Sequence, residues 1–579
     1  MGRINKAITG NKKPILIALL QWFITTVMQF DRAFFEYGLE SYKFLLIKAL
    51  YLMSLSVAWC FAFHVYKKIK ANDQLYMRGF QIFLIYYTLM MALLVILWPG
   101  TWSWDDLWTL SNISRYSSFN AWQHILTGLY QDILLQYLPF PGGIILLQNC
   151  VISVCVAFIV VKLECTFSIQ RLNSCFLDIL LKVLPFLLFP VLQYQFSGYR
   201  MGLYVYLELT MLTILICAPH DQSIWGYKYS LFLCFLVLIV SVWRTESFFY
   251  VPCVCVLLLL LSKTILSVRR KIICVLLMLI GFFALTNWQN YSLGNSNYNI
   301  VSLLRPCVEL VRAADNEEDA EELAAIDKVV DLRIVQDHPG SNGEQLYWDY
   351  HCLRTQNNDP EDDFTDKEYK NLISAMIKLS IKYPKVVFAE RWNVFLTACG
   401  IKGQTVTSIT RSARLYDEEE ENRSRDASFY SHNWLATKPV FQRVRKRMIF
   451  LMGIKTKNGD SIGVLTRLVW NSLVPIMFLI YAWIKLLFQK KWFLWILCSA
   501  VVVRIPVVFL TEPSPWLMYH LSFYLLGYTL AVYYIWIRFS TLKRAKKRIG
   551  SCFLFPCSSF EKQCDCTLQP APIQQPDRR

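Results

Sequence analysis

Residues 79–98 read Gly-Phe-Gln-Ile-Phe-Leu-Ile-Tyr-Tyr-Thr-Leu-Met-Met-Ala-Leu-Leu-Val-Ile-Leu-Trp, without one charged side chain, and run into Pro99-Gly100-Thr101-Trp102-Ser103-Trp104-Asp105-Asp106-Leu107-Trp108. About 20 mostly apolar residues in helical form cross the hydrocarbon layer. In lipid a single segment can satisfy its own backbone only as a helix. The stretch therefore predicts a membrane helix ending at an interface rich in tryptophan, followed by a loop with two adjacent carboxylates.

Working outward, similar apolar runs lie at 14–30, 44–66, 143–163, 175–194, 202–218, 229–243, 248–262, 272–288, 465–488, 492–510 and 516–538. With 79–98 they predict an all-α polytopic membrane protein of about twelve transmembrane helices. Composition agrees: of 579 residues 55% are hydrophobic, 15% aromatic and 17% charged, and the mean hydropathy is +0.35. So little charge does not cover a soluble surface of this size, and disorder, collagen, coiled coil and a disulfide scaffold are excluded.

The net charge of +17 does not point to nucleic acid, because between residues 289 and 440 acids outnumber bases 25 to 17. The positive excess lies in short loops between apolar runs. Lys67, Lys68 and Lys70, then Lys263, Arg269, Arg270 and Lys271, then Lys490 and Lys491 share one side with both termini. That side is expected to be cytoplasmic. The 99–142 loop, the Arg244–Ser247 turn and the long insert then face outward. Arg443, Arg445, Lys446 and Arg447 also fall outside; interleaved with Val440, Phe441, Val444, Met448, Ile449 and Phe450, they predict an amphipathic helix on the headgroups.

Four regions follow: 1–288, membrane-embedded with the 99–142 loop; 289–463, a mainly helical extracytoplasmic insert; 464–540, membrane-embedded; and 541–579, a basic tail expected to be disordered. Within the insert, Asp315 is expected to cap a helix, a second helix runs from Asp366 to Tyr383 and stops at Pro384, and Asp417–Glu421 reads as a solvated acidic loop. The 18 cysteines lie mostly in apolar runs and form no framework, and no cleavable signal peptide is expected.

Several ionisable groups stand where chemistry is plausible. Asp105 and Asp106 suit proton abstraction from an acceptor hydroxyl or a divalent cation (Mg or Mn), or else cap the helix toward Trp108. His124 adds a polar group to the same loop, or is a satisfied structural residue. Arg244 and Glu246 flank an outward turn; the Arg fork matches a lipid-linked phosphate, or the two form a pair tying helices together. Arg504 lies inside an apolar run beside Pro506, either as a functional cation or snorkelling to the interface. Arg200, between two runs, is a weaker candidate.

In order and sidedness these residues resemble bacterial integral-membrane proteins of the GT-C glycosyltransferase superfamily, in particular a family of unknown function within it. The residues that carry the likeness are Pro99-Gly100, Asp105, His124, Arg244-Thr245-Glu246, Arg504 and the closing stretch Leu510-Thr511-Glu512-Pro513-Ser514-Pro515-Trp516-Leu517-Met518-Tyr519-His520. The resemblance spans roughly residues 80–540. It departs where Ile125 follows His124 in place of proline, where Met201 follows Arg200 in place of an acid, and in the two spans before the motif-bearing hairpin. The resemblance implies transfer of a sugar from a polyprenyl-phosphate donor to an envelope glycan, lipid or protein acceptor, outside a bacterial plasma membrane. It gives the loop Asp the role of base or metal holder, and the arginines that of phosphate ligands. Two other readings remain open: a transporter or flippase of lipid-linked oligosaccharides, and a non-catalytic envelope-assembly protein. Convergence of Asp105, Arg244 and Arg504 on one outer cavity favours the enzyme.

Overall fold

The computed structural model describes residues 12–35, 42–102, 104–115, 123–220, 226–262, 265–293, 298–356, 364–401, 435–453 and 463–554. The described residues are 80% helical and contain no strand; Val330 and Leu353 form an isolated bridge. The helices are α1 Lys12–Val27, α2 Tyr42–Lys70, α3 Gln74–Leu97, α4 Trp104–Ser114, α5 Leu126–Tyr137, α6 Pro141–Thr166, α7 Cys175–Lys182, α8 Phe189–Gln195, α9 Met201–Cys217, α10 Tyr227–Trp243, α11 Tyr250–Leu260 and α12 Val268–Leu293. The insert adds α13 Val301–Ala313, α14 Ala320–Asp327, α15 Leu332–Asp337, α16 Gly343–Trp348, α17 Asp366–Lys382, α18 Pro384–Ala398 and α19 Gln442–Met452. The chain closes with α20 Gly463–Val469, α21 Leu473–Phe488, α22 Trp492–Val502, α23 Arg504–Thr511 and α24 Leu521–Leu554.

This is an all-α membrane protein. Six helices among the described residues are long and apolar enough to cross a membrane: Tyr42–Lys70, Gln74–Leu97, Pro141–Thr166, Val268–Ser292, Arg467–Phe488 and Trp492–Thr511. The other six expected spans do not reach that standard. The 175–194 run is broken by Pro185 and Pro190 into α7, a 3-10 turn and α8. The runs at 14–30, 202–218, 229–243 and 248–262 give helices of 16, 17, 17 and 11 residues. At 1.5 Å per residue these extend at most about 26 Å. The 516–538 run falls in α24, whose tyrosines and closing basic residues dilute its apolar character.

Helix α6 is the axis of the bundle: 67% of its apolar window is buried, against 11% for Val268–Ser292 at the periphery. It packs on α3, α5 and α9. A separate core in the insert gathers Leu304, Val308, Ile326, Leu346, Leu372 and Leu379.

Two further expectations are corrected here, and the second insert helix falls where it was expected. Asp315 caps a turn, accepting from the backbone of Glu317 and Glu318; the helix itself starts at Ala320. The second insert helix carries a Thr365/Glu368 capping box, and Pro384 opens α18 as well as closing α17. Helix α24 continues to Leu554, because 541–549 holds good helix formers and no proline, so disorder does not begin at 541. Residues 417–421, 120–122, Lys263 and the tail cysteines 557, 564 and 566 lie outside the described residues. The 14 cysteines whose side chains are described are free thiols.

At the end of the bundle where α3 begins, four buried charges balance. Arg78 bonds Glu164 at 2.7 Å and also Asp178, while Lys182 reaches Glu164 at 2.8 Å and Asp178 at 2.9 Å. The tetrad joins α3, α6 and α7. Removing one cation leaves a buried carboxylate undercompensated, although Lys182 still offsets part of it. Arg78→Ala is therefore expected to destabilise the protein by roughly 2–4 kcal/mol, read as a lowered melting temperature in detergent; an unchanged one would assign the tetrad no stabilising role.

Candidate functional site

At the opposite end of α3 the chain turns sharply. Gly100 has φ +112°, and a Cβ there would lie 2.7 Å from the Phe196 carbonyl. Thr101 donates its backbone N–H to that carbonyl at 2.8 Å, and its hydroxyl to the Gln193 carbonyl at 3.0 Å. Buried Trp102 packs flat on Gly198, where a Cβ would sit 2.3 Å from the ring. The turn is thus locked to the 193–198 segment before α4 starts, and both loop acids fall in the first turn of α4, where the helix dipole favours negative charge.

The two neighbouring acids do different things. Asp106 is buried and accepts the Ser197 hydroxyl at 2.6 Å; the same Ser197 oxygen accepts the Tyr199 N–H at 3.0 Å. Asp106 therefore positions the 197–199 turn. Asp105 faces the Tyr199 hydroxyl and the Arg200 guanidinium, which favour its ionised form, but burial outweighs them and raises its pKa above the ordinary aspartate value. A carboxylate of raised basicity is a better proton acceptor.

Arg200 also acts on His124, which burial and the nearby cation depress to about 4. At neutral pH the imidazole is uncharged. Its Nδ1 accepts the Leu126 N–H at 3.2 Å, so Nε2 carries the proton, and that buried atom has no partner among the described residues. His124 is a neutral donor, not a cation. The α5 helix that follows fixes the same segment from below: Gln131 donates to the Gly198 carbonyl at 2.6 Å.

Arg244 lies across from this group, and its charge acts on Tyr199 together with those of Asp105 and Arg200. It is 4% exposed. Its Nε and Nη2 bond one oxygen of Glu246 at 2.7 and 2.6 Å, and the guanidinium sits 5.6 Å from the centre of the Tyr519 ring. Nη1 is buried without a hydrogen-bond partner among the described residues. The pair is local to the turn between α10 and α11 and leaves one donor available.

Arg504 does not snorkel. At 1% exposure it pairs inside the bundle with Glu208 of α9, also bonds the Tyr250 hydroxyl at 3.0 Å, and stacks on the Tyr250 and Phe523 rings. Its charge reaches Glu246, which places it one layer behind Arg244. Asp105, Arg200, His124 and Arg244 thus meet directly or through Tyr199, and Arg504 joins through Glu246.

The insert completes the arrangement. Glu344, in the first turn of α16, accepts the Tyr519 hydroxyl at 3.3 Å, while Gly343 donates to the Pro513 carbonyl at 3.3 Å. Tyr298 feels the charges of Glu344, Asp105 and Arg200. The strap bearing Pro513 and Tyr519 is fixed below by a buried Glu512–His520 pair at 3.0 Å, with Ser472 on the other ring nitrogen at 2.9 Å. Arg391 bonds the Glu512 carbonyl at 2.7 Å. Burial and the adjacent Asp105 push the Glu344 carboxyl up to about 8. Glu344, Tyr199, Tyr298 and Glu208 were not picked out from the sequence. Only Glu208, a lone acid in an apolar run, carried a signal there.

The raised Glu344 pKa fixes the sign of a pH effect. The unfolded carboxyl ionises near its ordinary value of 4.5 while the folded one stays protonated to about 8. Between these limits the unfolded state binds fewer protons, so stability falls as pH rises and levels off above 8. Melting temperature is expected to drop from pH 5 to 8, and Glu344→Gln is expected to flatten the slope; an equally steep Gln variant would remove Glu344 as the source.

No described group of three His, Cys, Asp or Glu side chains is placed to hold a metal ion. Asp106 is committed to Ser197, and among the described residues Asp105 has no further pair of such side chains beside it to complete a site for Mg or Mn. Comparison of the chain with family models, with curated proteins and with solved structures finds no match.

Proposed function

We propose that the protein is a GT-C-like membrane glycosyltransferase that moves a sugar from a polyprenyl-phosphate donor to an envelope glycan, lipid or protein acceptor on the non-cytoplasmic face. What supports this reading is a single observation: Asp105, of raised basicity, shares one half-buried cluster with Arg200, the buried Arg244 and the insert's Glu344. The acceptor hydroxyl gives its proton to Asp105 as its oxygen bonds the sugar anomeric carbon. The bond from that carbon to the phosphate oxygen breaks, and the phosphate leaves with the electron pair. Direct attack inverts the anomeric centre. Arg244 offers its open Nη1, and Arg200 its charge, to the leaving phosphate as negative charge builds, where prealigned donors act most strongly. The neutral Nε2–H of His124 adds a hydrogen bond without extra charge. The donor lipid enters sideways between helices, and the insert selects the acceptor.

The test is reconstitution of the full chain in liposomes with a panel of radiolabelled polyprenyl-phosphate sugars, alongside glycan profiling of cells lacking the protein. Label moving to an acceptor fraction and a missing envelope glycan are expected. Passage of intact lipid-linked sugar across the bilayer without bond cleavage would replace this reading with transport.

A further inference from the structure

Helix α19 (Gln442–Met452), expected as an amphipathic helix on the headgroups, is also anchored to the protein. Arg445 is 4% exposed and points into the bundle. Its Nε donates to the Leu97 carbonyl at 3.2 Å and its Nη2 to the Gly100 carbonyl at 2.8 Å. Met452, one of the helix's last residues, is buried in the main core, and the Trp98 indole N–H reaches back to the Ala436 carbonyl at 3.1 Å. Leu97 closes a helix long and apolar enough to span a membrane. The carbonyl that Arg445 grips therefore stands at the end of a helix long and apolar enough to cross a membrane, and α19 is held there.

Met448 and Ile449 also pack against the main core, while the opposite side of the helix carries two chemistries side by side. Arg443, Lys446 and Arg447, spaced three and four residues apart, share one exposed stripe. None of the three forms an ion pair with a described residue. Next to them Val444 and Leu451, with Val440 and Phe441 just before the helix, expose large apolar side chains. Facing water, that apolar edge is unfavourable; at a bilayer edge it meets acyl chains while the cations stand at phosphate height. α19 itself carries no acid.

We propose that α19 is a docking surface for anionic phospholipid headgroups in the leaflet at the site end of the bundle. The occupant follows from charge complementarity: three cations without an ion pair to any described residue, beside an apolar edge, match an anionic phosphate with its acyl chains, and a zwitterionic headgroup offers no net charge to them. Through Arg445 the same helix holds the Leu97–Gly100 turn that leads to Asp105, so bound lipid braces the entry to the site. The surface does not depend on the glycosyltransferase reading, since it rests on the membrane edge and on charge.

Native mass spectrometry of the detergent-purified full chain, titrated with phosphatidylglycerol and separately with phosphatidylcholine, tests the proposal. The triple variant Arg443→Gln, Lys446→Gln, Arg447→Gln changes only exposed side chains, and its melting temperature confirms folding. It is expected to lose phosphatidylglycerol affinity by on the order of tenfold to a hundredfold, given the attraction of each basic residue near an anionic surface. Phosphatidylcholine binding stays as in the wild type, and Arg443→Lys with Arg447→Lys keeps the preference. Equal phosphatidylglycerol affinity in the wild type and the Gln variant would overturn the proposal. So would a gain of that affinity when Asp417, Glu418, Glu419, Glu420 and Glu421 are neutralised together, since the chain's own acidic run would then be the occupant.

Discussion

Asp105→Asn in the purified full chain is expected to lower sugar transfer by about 10²- to 10⁴-fold, the range that a positioned general base contributes. The substitution keeps the shape and one acceptor oxygen but cannot take up a proton. Folding is expected to hold, because Asp106, not Asp105, bonds Ser197. Donor KM is expected to change little, since Arg244 and Arg200 carry the phosphate contacts in this reading. The matched control is Asp106→Asn, which keeps an oxygen for the Ser197 hydroxyl and so retains much of the turnover. Wild-type turnover in Asp105→Asn would remove this carboxylate from the mechanism. Equal loss in both variants would show that the turn, rather than the base, is at fault.

The distinction between those neighbours was not legible in the sequence, where adjacent acids look interchangeable. It arises because successive residues on a helix point about 100° apart, so one reaches Ser197 and the other Tyr199 and Arg200. What could be read was each contributor with a local signal: the Pro99-Gly100 turn, the Arg244–Glu246 pair and the cation in the 501–506 run. Helix class was equally plain from apolar runs. Span number was not, because Pro185 and Pro190 break an apolar run whose average hydropathy still looks like a membrane helix. Nor could sequence place α19, since a basic amphipathic pattern is the same whether its arginine faces phosphate or a backbone carbonyl. Glu344 was hidden for a similar reason. Its Asn342/Gln345 capping box announces a helix start, but only the contact between Gly343 and Pro513 brings that start to the membrane site.

The Arg504–Glu208 pair separates structural from catalytic roles. Both side chains are at most 1% exposed, and Arg504 lies between the Tyr250 and Phe523 rings. Arg504→Met leaves Glu208 charged in an apolar bundle and is expected to cost about 3–5 kcal/mol, as breaking a buried pair from one side does. Glu208→Leu alone strands the cation and is expected to cost a similar amount. The double variant removes both charges and fills the space with apolar side chains, so stability is expected to return most of the way to wild type, because a buried pair replaced by well-packed apolar groups is often neutral. Thermal unfolding of the four proteins in detergent measures the coupling. Additive losses would mean that the two charges do not compensate each other. If the double variant refolds to wild-type stability, its transfer rate then decides the second question. The Arg504 charge also reaches Glu246, the partner of Arg244, and with that support gone Arg244 is expected to hold the donor phosphate less well, raising donor KM more than it lowers turnover. A stable double variant with unchanged donor KM would make Arg504 purely structural.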